Sequence, residues 1–269
     1  MLKLHHFGFS TCSQKVRLVL AEKGLEFESH EVNLMTGEQN APAYVKLNPN
    51  HVVPTLVHDG AVLIESSLII KYLDDAFPAP PMRPRDALGR YAVDRWLMHA
   101  DEALHPAAPT VTFAIGPRKF IVQQPKEVRE ANIAGIQDPI QRATRRSVIE
   151  FGVKAPEFAG ALGVFIATLD QMEVDLASQS WLSGARFGLA DATLLPYVLR
   201  LEHLAMDPLL ERNARPRVAD WFARLKALPS YAIAVEAWAA PAAVLMMRSN
   251  GKEVWSEVEH ITRRAAERV

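Results

Sequence analysis

Three short stretches near the start of the chain have residue types and spacing suited to holding an anionic small molecule. The first is Ser10-Thr11-Cys12-Ser13. It follows Leu2 to Phe9, which reads as a short strand. It precedes QKVRLVLAEKG, where Val16, Val19 and Leu20 fall on one helical face. Hydroxyls and a thiol therefore sit where a strand gives way to a helix. Helix N-terminal amides and the macrodipole favour negative charge there by about 0.3–1 kcal/mol, and a thiol held there has its pKa lowered. An ordinary cap would look the same, because Ser and Thr are common N-caps; Thr11 and Gln14 have capping-box spacing, which predicts the helix start at Thr11. The second stretch is Val53-Pro54, a proline entering an apolar strand. It makes sense where the peptide is cis and the preceding backbone turns outward to a ligand; a strand-start proline is the plainer alternative. The third is Glu65-Ser66, at a strand-to-helix junction. It offers amides and a hydroxyl to a carboxylate, or is simply another cap.

The elements that must position these residues can be read on either side of them. Residues 2–9 form a strand, a helix follows and stops at Gly24, and residues 26–34 alternate as a second strand. This β-α-β order implies a parallel pair with a right-handed crossover. Residues 36–47 read as a short irregular helix. Thr55–His58 and Val62–Glu65 form two strands joined by Asp59-Gly60, a strong hairpin signal. A further helix starts at Ser66. The order βαβ then ββα is thioredoxin-like. The stretch PAPPMRPR holds four prolines in eight residues and reads as a stiff linker. From Asp86 to Ala240 the sequence predicts no strand pair. It predicts helices over 86–105, 141–177 around Pro156, 189–206 and 216–228, with breaks at Gly116, Pro117, Pro125 and Pro139. A final amphipathic helix is expected over 252–267, with Val254, Val258, Ile261 and Ala265 on one face. The expected organisation is an α/β thioredoxin-like domain at 1–78, a proline-rich linker at 79–85 and an all-helical domain at 86–269.

Composition narrows the function classes. The 269 residues are 49% hydrophobic and 23% charged, with a formal net charge of −1. That is an ordinary globular balance, without the basic excess that nucleic acid or an anionic membrane would attract. Cys12 is the single cysteine, so an internal disulfide is impossible and a reducing compartment is expected. The start MLKLHHFGFS lacks the basic and continuously apolar pattern of a signal peptide, and no apolar run approaches the ~18 residues of a membrane span. The cytoplasm is the simplest expectation. The nine histidines include no i, i+4 pair, so no metal is expected. Phosphate-loop and nucleophile-elbow patterns are missing from the sequence.

Together and in order, FSTCSQKVRLVLAEKGLEFE, NPNHVVPTLVHDG and VLIESSLIIKYLDDAFP resemble the N-terminal domain of the cytosolic glutathione transferases. The resemblance is strong over about 78 residues and looser beyond, where WLSGARFGLADATLLPYVLRL is similar to the capped core helix of the family. It implies a glutathione-dependent enzyme, bacterial in type, acting on hydrophobic aromatic electrophiles and working as a two-fold homodimer. Residues 106–155 resemble the extended version in the β-aryl etherase and hydroquinone dehalogenase branch. By the same resemblance Val53 pairs its backbone with the cysteinyl part of glutathione beside cis Pro54. Glu65 and Ser66 take the γ-glutamyl carboxylate end, His51 the glycyl carboxylate with Lys15 or Lys46 as helpers, and Asp101 reaches the γ-glutamyl amine across the dimer.

Three residues compete to activate the thiol. Ser10 matches the serine-type donor and is favoured, Cys12 matches members that form a mixed disulfide with glutathione, and Ser13 matches a position used by some etherases. A hydroxyl donor implies conjugation, ether cleavage or isomerisation; a nucleophilic Cys12 implies reductive dehalogenation or deglutathionylation. A silent ligand-binding member of the family is the remaining alternative. A CxxC oxidoreductase is disfavoured for want of a second cysteine. Trp96, His99, His105, Phe113 and Phe120 are candidate lining residues for the acceptor, and the tail from Pro241 either covers the pocket or packs outside it. One departure stands out: Gly188 occupies the place of the family's Ser or Thr three residues before Asp191, so the capping oxygen is missing, with an expected cost in stability rather than chemistry.

Overall fold

A computed structural model describes the backbone of residues 1–266 and the side chains through Arg263. The strands are β1 (Leu2–His6), β2 (Glu28–Glu31), β3 (Thr55–His58) and β4 (Ala61–Leu63). The α-helices are α1 (Thr11–Glu22), α2 (Pro42–Val45), α3 (Ser66–Ala76), α4 (Ala87–His99), α5 (His105–Ile115), α6 (Arg118–Gln123), α7 (Lys126–Ala134), α8 (Pro139–Phe151), α9 (Pro156–Asp175), α10 (Leu189–His203), α11 (Pro216–Lys226), α12 (Pro229–Ala234) and α13 (Pro241–Ala266).

Two compact units result. The first holds residues 1–99, 176–196 and 220–240; the second holds residues 100–175, 197–219 and 241 onward. In the first, the sheet runs β2-β1-β3-β4. β1 is parallel to β2 with Leu4 opposite Ser29, and antiparallel to β3 with Leu4 opposite Leu56. Asp59 and Gly60 both have positive φ, 48° and 90°, the geometry of the tight turn their pairing predicts. Leu4, Val19, Leu56, Ile69 and Leu73 are fully buried and tie the sheet to α1 and α3. This is the expected thioredoxin-like α/β architecture. Among its described residues the second unit is built of helices joined by turns, with no strand. Phe158, Leu162, Phe165 and Leu169 of α9 are buried, and α9 packs against α5 and α13.

Several boundaries differ from the sequence reading. β1 ends at His6 because the chain turns there, with the Ser10 amide bonded to Phe7 O at 3.1 Å. β2 is four residues long, matched to the stretch of β1 it pairs with. β4 spans Ala61–Leu63, not Val62–Glu65. α1 is capped by Ser10, whose side chain accepts from the Ser13 amide; Thr11 is already helical. Gly24 does end that helix: its φ is 62°, and Leu25 N–H bonds Leu20 O at 2.9 Å in a six-residue closure. The helix expected over 86–105 is interrupted by a π turn at Ala100–Leu104. Pro106 has no N–H to give the Glu102 carbonyl, and helices commonly widen or bend at such a gap. Pro117, Pro125 and Pro139 lie at helix starts, as fits their fixed φ. α13 begins at Pro241, well before the expected residue 252. The expected end at Glu267 lies outside the described residues, as does the side chain of Ala265.

Candidate active site

Ser10 closes the turn between β1 and α1. Its Oγ lies 3.2 Å from the Ser13 amide and accepts that N–H. A hydroxyl that accepts one bond keeps its own proton to donate elsewhere, and Ser10 is half-buried rather than sealed. Cys12 is also half-buried, one residue into α1, and in no disulfide. Ser13 differs: it is fully buried, and its Oγ accepts the Phe7 amide at 3.3 Å.

Behind this turn lies a brace that motif reading missed. The buried Arg17 guanidinium donates to Phe7 O at 3.3 Å, Gly8 O at 2.9 Å and Ala234 O at 2.7 Å. It also sits 3.0 Å from His6 Nδ1. Because Arg17 can only donate, His6 Nδ1 must accept, which puts the ring proton on Nε2, 2.8 Å from Ser29 Oγ. Burial, with Arg17 next in weight, pushes the His6 pKa from 6.5 down to about 4. Trp238 stacks edge-on against His6, and a Cβ on Gly8 would meet Trp238 O at 2.6 Å. Only glycine lets the turn approach that closely. Spacing could not have revealed this brace, because Arg17 and Ala234 lie 217 positions apart.

The Val53-Pro54 peptide is cis. Its loop is held from inside by two buried side chains. Tyr44 Oη donates to Val52 O at 2.7 Å and lies 3.0 Å from Thr55 Oγ1; Asn48 Nδ2 donates to the same two atoms at 2.8 and 3.1 Å. Val53 itself is buried with Val32 and Tyr44. His51 has a φ of 57° and its Nδ1 lies 2.9 Å from Asn40 Oδ1, which fixes the ring's orientation.

Glu65 precedes α3 with φ 66° and ψ 106°. That conformation is disfavoured for a side-chain-bearing residue and costs on the order of 1–3 kcal/mol. Glu65 does not cap the helix; its Oε1 instead accepts from Asn50 Nδ2 at 3.0 Å. Beside it Ser66 is buried, and the fully buried Lys15 donates to Ser67 Oγ at 2.8 Å. A strained residue, uncapped helix amides and a nearby fixed cation suit a carboxylate at this point. Ser10, Cys12, Val53, Pro54, Glu65, Ser66 and His51 all belong to the first unit. Asp101 lies exposed in the π turn of the second unit.

The candidate lining residues divide likewise. Trp96 is buried in the first unit and meets His99 edge-on, with centroids 5.8 Å apart. In the second unit His105 is exposed with Nδ1 3.5 Å from Tyr197 Oη, Phe113 carries a guanidinium on its face, and Phe120 is exposed.

The departure at Gly188 has a structural answer. Ser183 Oγ accepts the Ala190 amide at 3.0 Å, so a hydroxyl from outside α10 does the work of the missing cap. A Cβ on residue 188 would meet Met82 O at 2.3 Å and Ser183 Oγ at 2.8 Å. Asp191 is fully buried and accepts four N–H groups: Leu182 at 2.8 Å, Ser183 and Gly188 at 3.1 Å, and Trp221 Nε1 at 2.7 Å.

Comparison with known proteins gives this geometry its family. Residues 4–81 match the family model for the glutathione S-transferase N-terminal domain, and residues 155–224 match the C-terminal one. Protein LigF of Sphingobium sp. strain SYK-6 is 30% identical over 236 residues, covering 85% of this chain and 91% of LigF. The crystal structure of that protein, described as a beta-etherase, superposes with a TM-score of 0.79 at 28% identity over 88% of this chain and 99% of that one. Maleylacetoacetate isomerase of Pseudomonas aeruginosa is 29% identical, covering 79% of this chain and 89% of the isomerase. The chain belongs to the glutathione S-transferase family.

Proposed function

We propose that this enzyme activates the thiol of bound glutathione with the Ser10 hydroxyl and directs it at a hydrophobic aromatic electrophile, by conjugation or by cleavage of a β-aryl ether. The observation that carries the reading is the state of Ser10. Its oxygen accepts one helix amide, its proton is left to donate, and its side chain remains reachable. A free thiol has a pKa of about 8.5, and lowering it by two units needs about 2.7 kcal/mol of preferential stabilisation of the thiolate. One hydroxyl donor and the α1 amides are of that order. Ser13, sealed beneath Phe7, does not present its hydroxyl to a ligand.

Val53, Pro54, Glu65, Ser66 and His51 would hold the tripeptide, its γ-glutamyl carboxylate at the start of α3. In ether cleavage the thiolate attacks the carbon bearing the aryloxy group. The C–S bond forms, the C–O bond breaks, and the phenolate leaves. Likeness to LigF over most of both chains supports this option. A homodimer is part of the proposal. Leu88, Tyr91 and Met98 form an exposed apolar stripe on α4 at helical spacing, with Leu68 of α3 and Val62 of β4 also exposed in the same unit. An Asp101 carboxylate supplied across the two-fold axis would then meet the γ-glutamyl amine. The compartment proposed is the cytoplasm.

A second reading rests on Cys12, half-buried in the first turn of α1. Its thiolate would attack a glutathionylated thiol, bonding to the glutathione sulfur and expelling the other sulfur as thiolate. Phenacyl phenyl ether and glutathione separate the two readings. The Ser10 reading expects thioether and phenol in equal amounts, a rate loss of about 10²-fold in Ser10→Ala, and near-normal turnover in Cys12→Ala. Turnover that survives Ser10→Ala and vanishes in Cys12→Ala would transfer the mechanism to Cys12. Glutathione binding without thioether from this or any aryl halide would leave a ligand-binding protein.

A further inference from the structure

We infer that Arg145, stacked on Phe113 in the second unit, is the seat of a carboxylate carried by an apolar, aromatic co-substrate. The word co-substrate rests on the glutathione-dependent reading above; the anion site itself does not.

Three other arginines on or beside α8 are engaged by acceptors within the chain. Arg118 donates to Ile149 O and Glu150 O, at 3.0 and 2.7 Å. Arg142 donates to Ile136 O and Gln137 O, at 2.5 and 2.9 Å. Arg146 pairs with Glu130 at 2.7 Å. Arg145 is the exception. Its guanidinium carbon lies 3.3 Å from the centroid of the Phe113 ring on α5. Among the described residues it has neither a carboxylate partner nor a hydrogen bond. Burial pulls its pKa down to about 10, and among the described residues no neighbouring charge adds to or opposes that shift.

Arg145 is half-buried, and a half-buried cation with no counter-charge among the described residues carries a desolvation cost that an anion would offset. The stacking geometry indicates the use. A guanidinium lying on a ring has one face covered, while its N–H groups point outward in the guanidinium plane. That edge is a fork matched to the two oxygens of a carboxylate, and partial desolvation strengthens the pair. Phe113 would contribute apolar surface beside the fork, so the recognised group is a carboxylate on an apolar body. A hydrated inorganic anion is a poorer match.

The test is isothermal titration of the full chain with hydrocinnamate and with hydrocinnamamide, its neutral isostere, in wild type, Arg145→Gln and Arg145→Lys. Glutathione is titrated into each as a control. Wild type is expected to bind the acid at least roughly tenfold more tightly than the amide, a difference in line with a charge-assisted fork. Arg145→Gln should lose that preference by weakening the acid alone, with amide and glutathione affinities unchanged. Arg145→Lys, a charge without the fork, should keep part of it. Equal binding of acid and amide by wild type, no acid binding, or a preference that survives Arg145→Gln would each overturn the inference. If the Gln variant does not fold, Arg145→Lys decides: a preference undiminished from wild type overturns the inference, and a reduced one with amide and glutathione affinities unchanged supports it. Failure of wild type to bind glutathione would instead overturn the proposed function, with the acid–amide comparison still ruling on this site.

Discussion

At the start of α1 a single half-buried hydroxyl, Ser10, accepts a single amide. At the start of α10 the chain supplies an acceptor to three successive amides: the buried Asp191 carboxylate takes Gly188 N–H, Met82 O takes Leu189 N–H and Ser183 Oγ takes Ala190 N–H, while Asp191 also ties in two loop amides and the Trp221 indole. Both are helix N-termini of the first unit, and both obey the rule that orphan amides must find acceptors. They differ in how much the protein itself supplies. The α10 start is saturated and closed, so it stabilises. The α1 start presents a reachable hydroxyl, and at the α3 start Glu65 turns away from capping and bonds Asn50. An underfilled helix start beside a strand end is where a ligand's charge can complete the set. The same chemistry thus serves structure in one place and function in another, according to what the chain leaves unoccupied.

The largest expected effect tests the saturated end. Asp191→Ala strands four buried donors and should destabilise the fold by about 3–5 kcal/mol, read as a fall in the denaturation midpoint. A loss below about 1 kcal/mol would mean that water replaces the carboxylate and that the α10 start does not stabilise the fold in this way. Gly188→Ser comes next. The family pattern suggests a stabilising cap of about 1 kcal/mol, whereas the 2.3 Å approach to Met82 O predicts a loss of about 1–3 kcal/mol from overpacking. Thermal melts of the variant separate the two. At the underfilled end, Glu65→Gly should relieve the positive φ and raise stability by about 1 kcal/mol, while glutathione affinity falls, because the residue's strain and carboxylate serve binding.

At neutral pH the smallest effect is at the brace behind the turn, whose contribution shows only as the solution is acidified. An unfolded chain takes up a proton at His6 near pH 6.5, the folded chain only near 4. Folding stability is therefore whole above pH 6.5 and erodes as the pH falls towards 4. His6→Asn, whose amide oxygen can accept from Arg17 in place of Nδ1, should flatten that part of the pH–stability curve. An unchanged slope would show that His6 is not the group being titrated.

Much of the first unit was legible in the sequence because its signals are local. Asp59-Gly60 sets the hairpin, Gly24 stops α1, and the serine-rich turn falls between a strand and a helix. The helix start at Thr11 is legible in the same way, although the capping side chain is Ser10, one residue before the Thr11 and Gln14 pair that has capping-box spacing. The brace was invisible because Arg17, His6 and Trp238 meet only through the fold. The answer to Gly188 was hidden for the same reason: the replacing hydroxyl, Ser183, lies outside the helix it caps. In the second unit apolar periodicity located most helices but said nothing of what a side chain faces. Phe113 could be named as a candidate, but the guanidinium on its face could not. The π turn at Ala100–Leu104 was missed because α-helical periodicity runs through it with little change.

On the proposed reading, the Ser10 hydroxyl at the start of α1 activates the glutathione thiol. Ultraviolet difference titration of bound glutathione against pH, in wild type, Ser10→Ala and Cys12→Ala, tests it most directly. The bound thiol is expected to titrate well below its free value in wild type and in Cys12→Ala, with the shift lost in Ser10→Ala. A shift that persists in Ser10→Ala would contradict it.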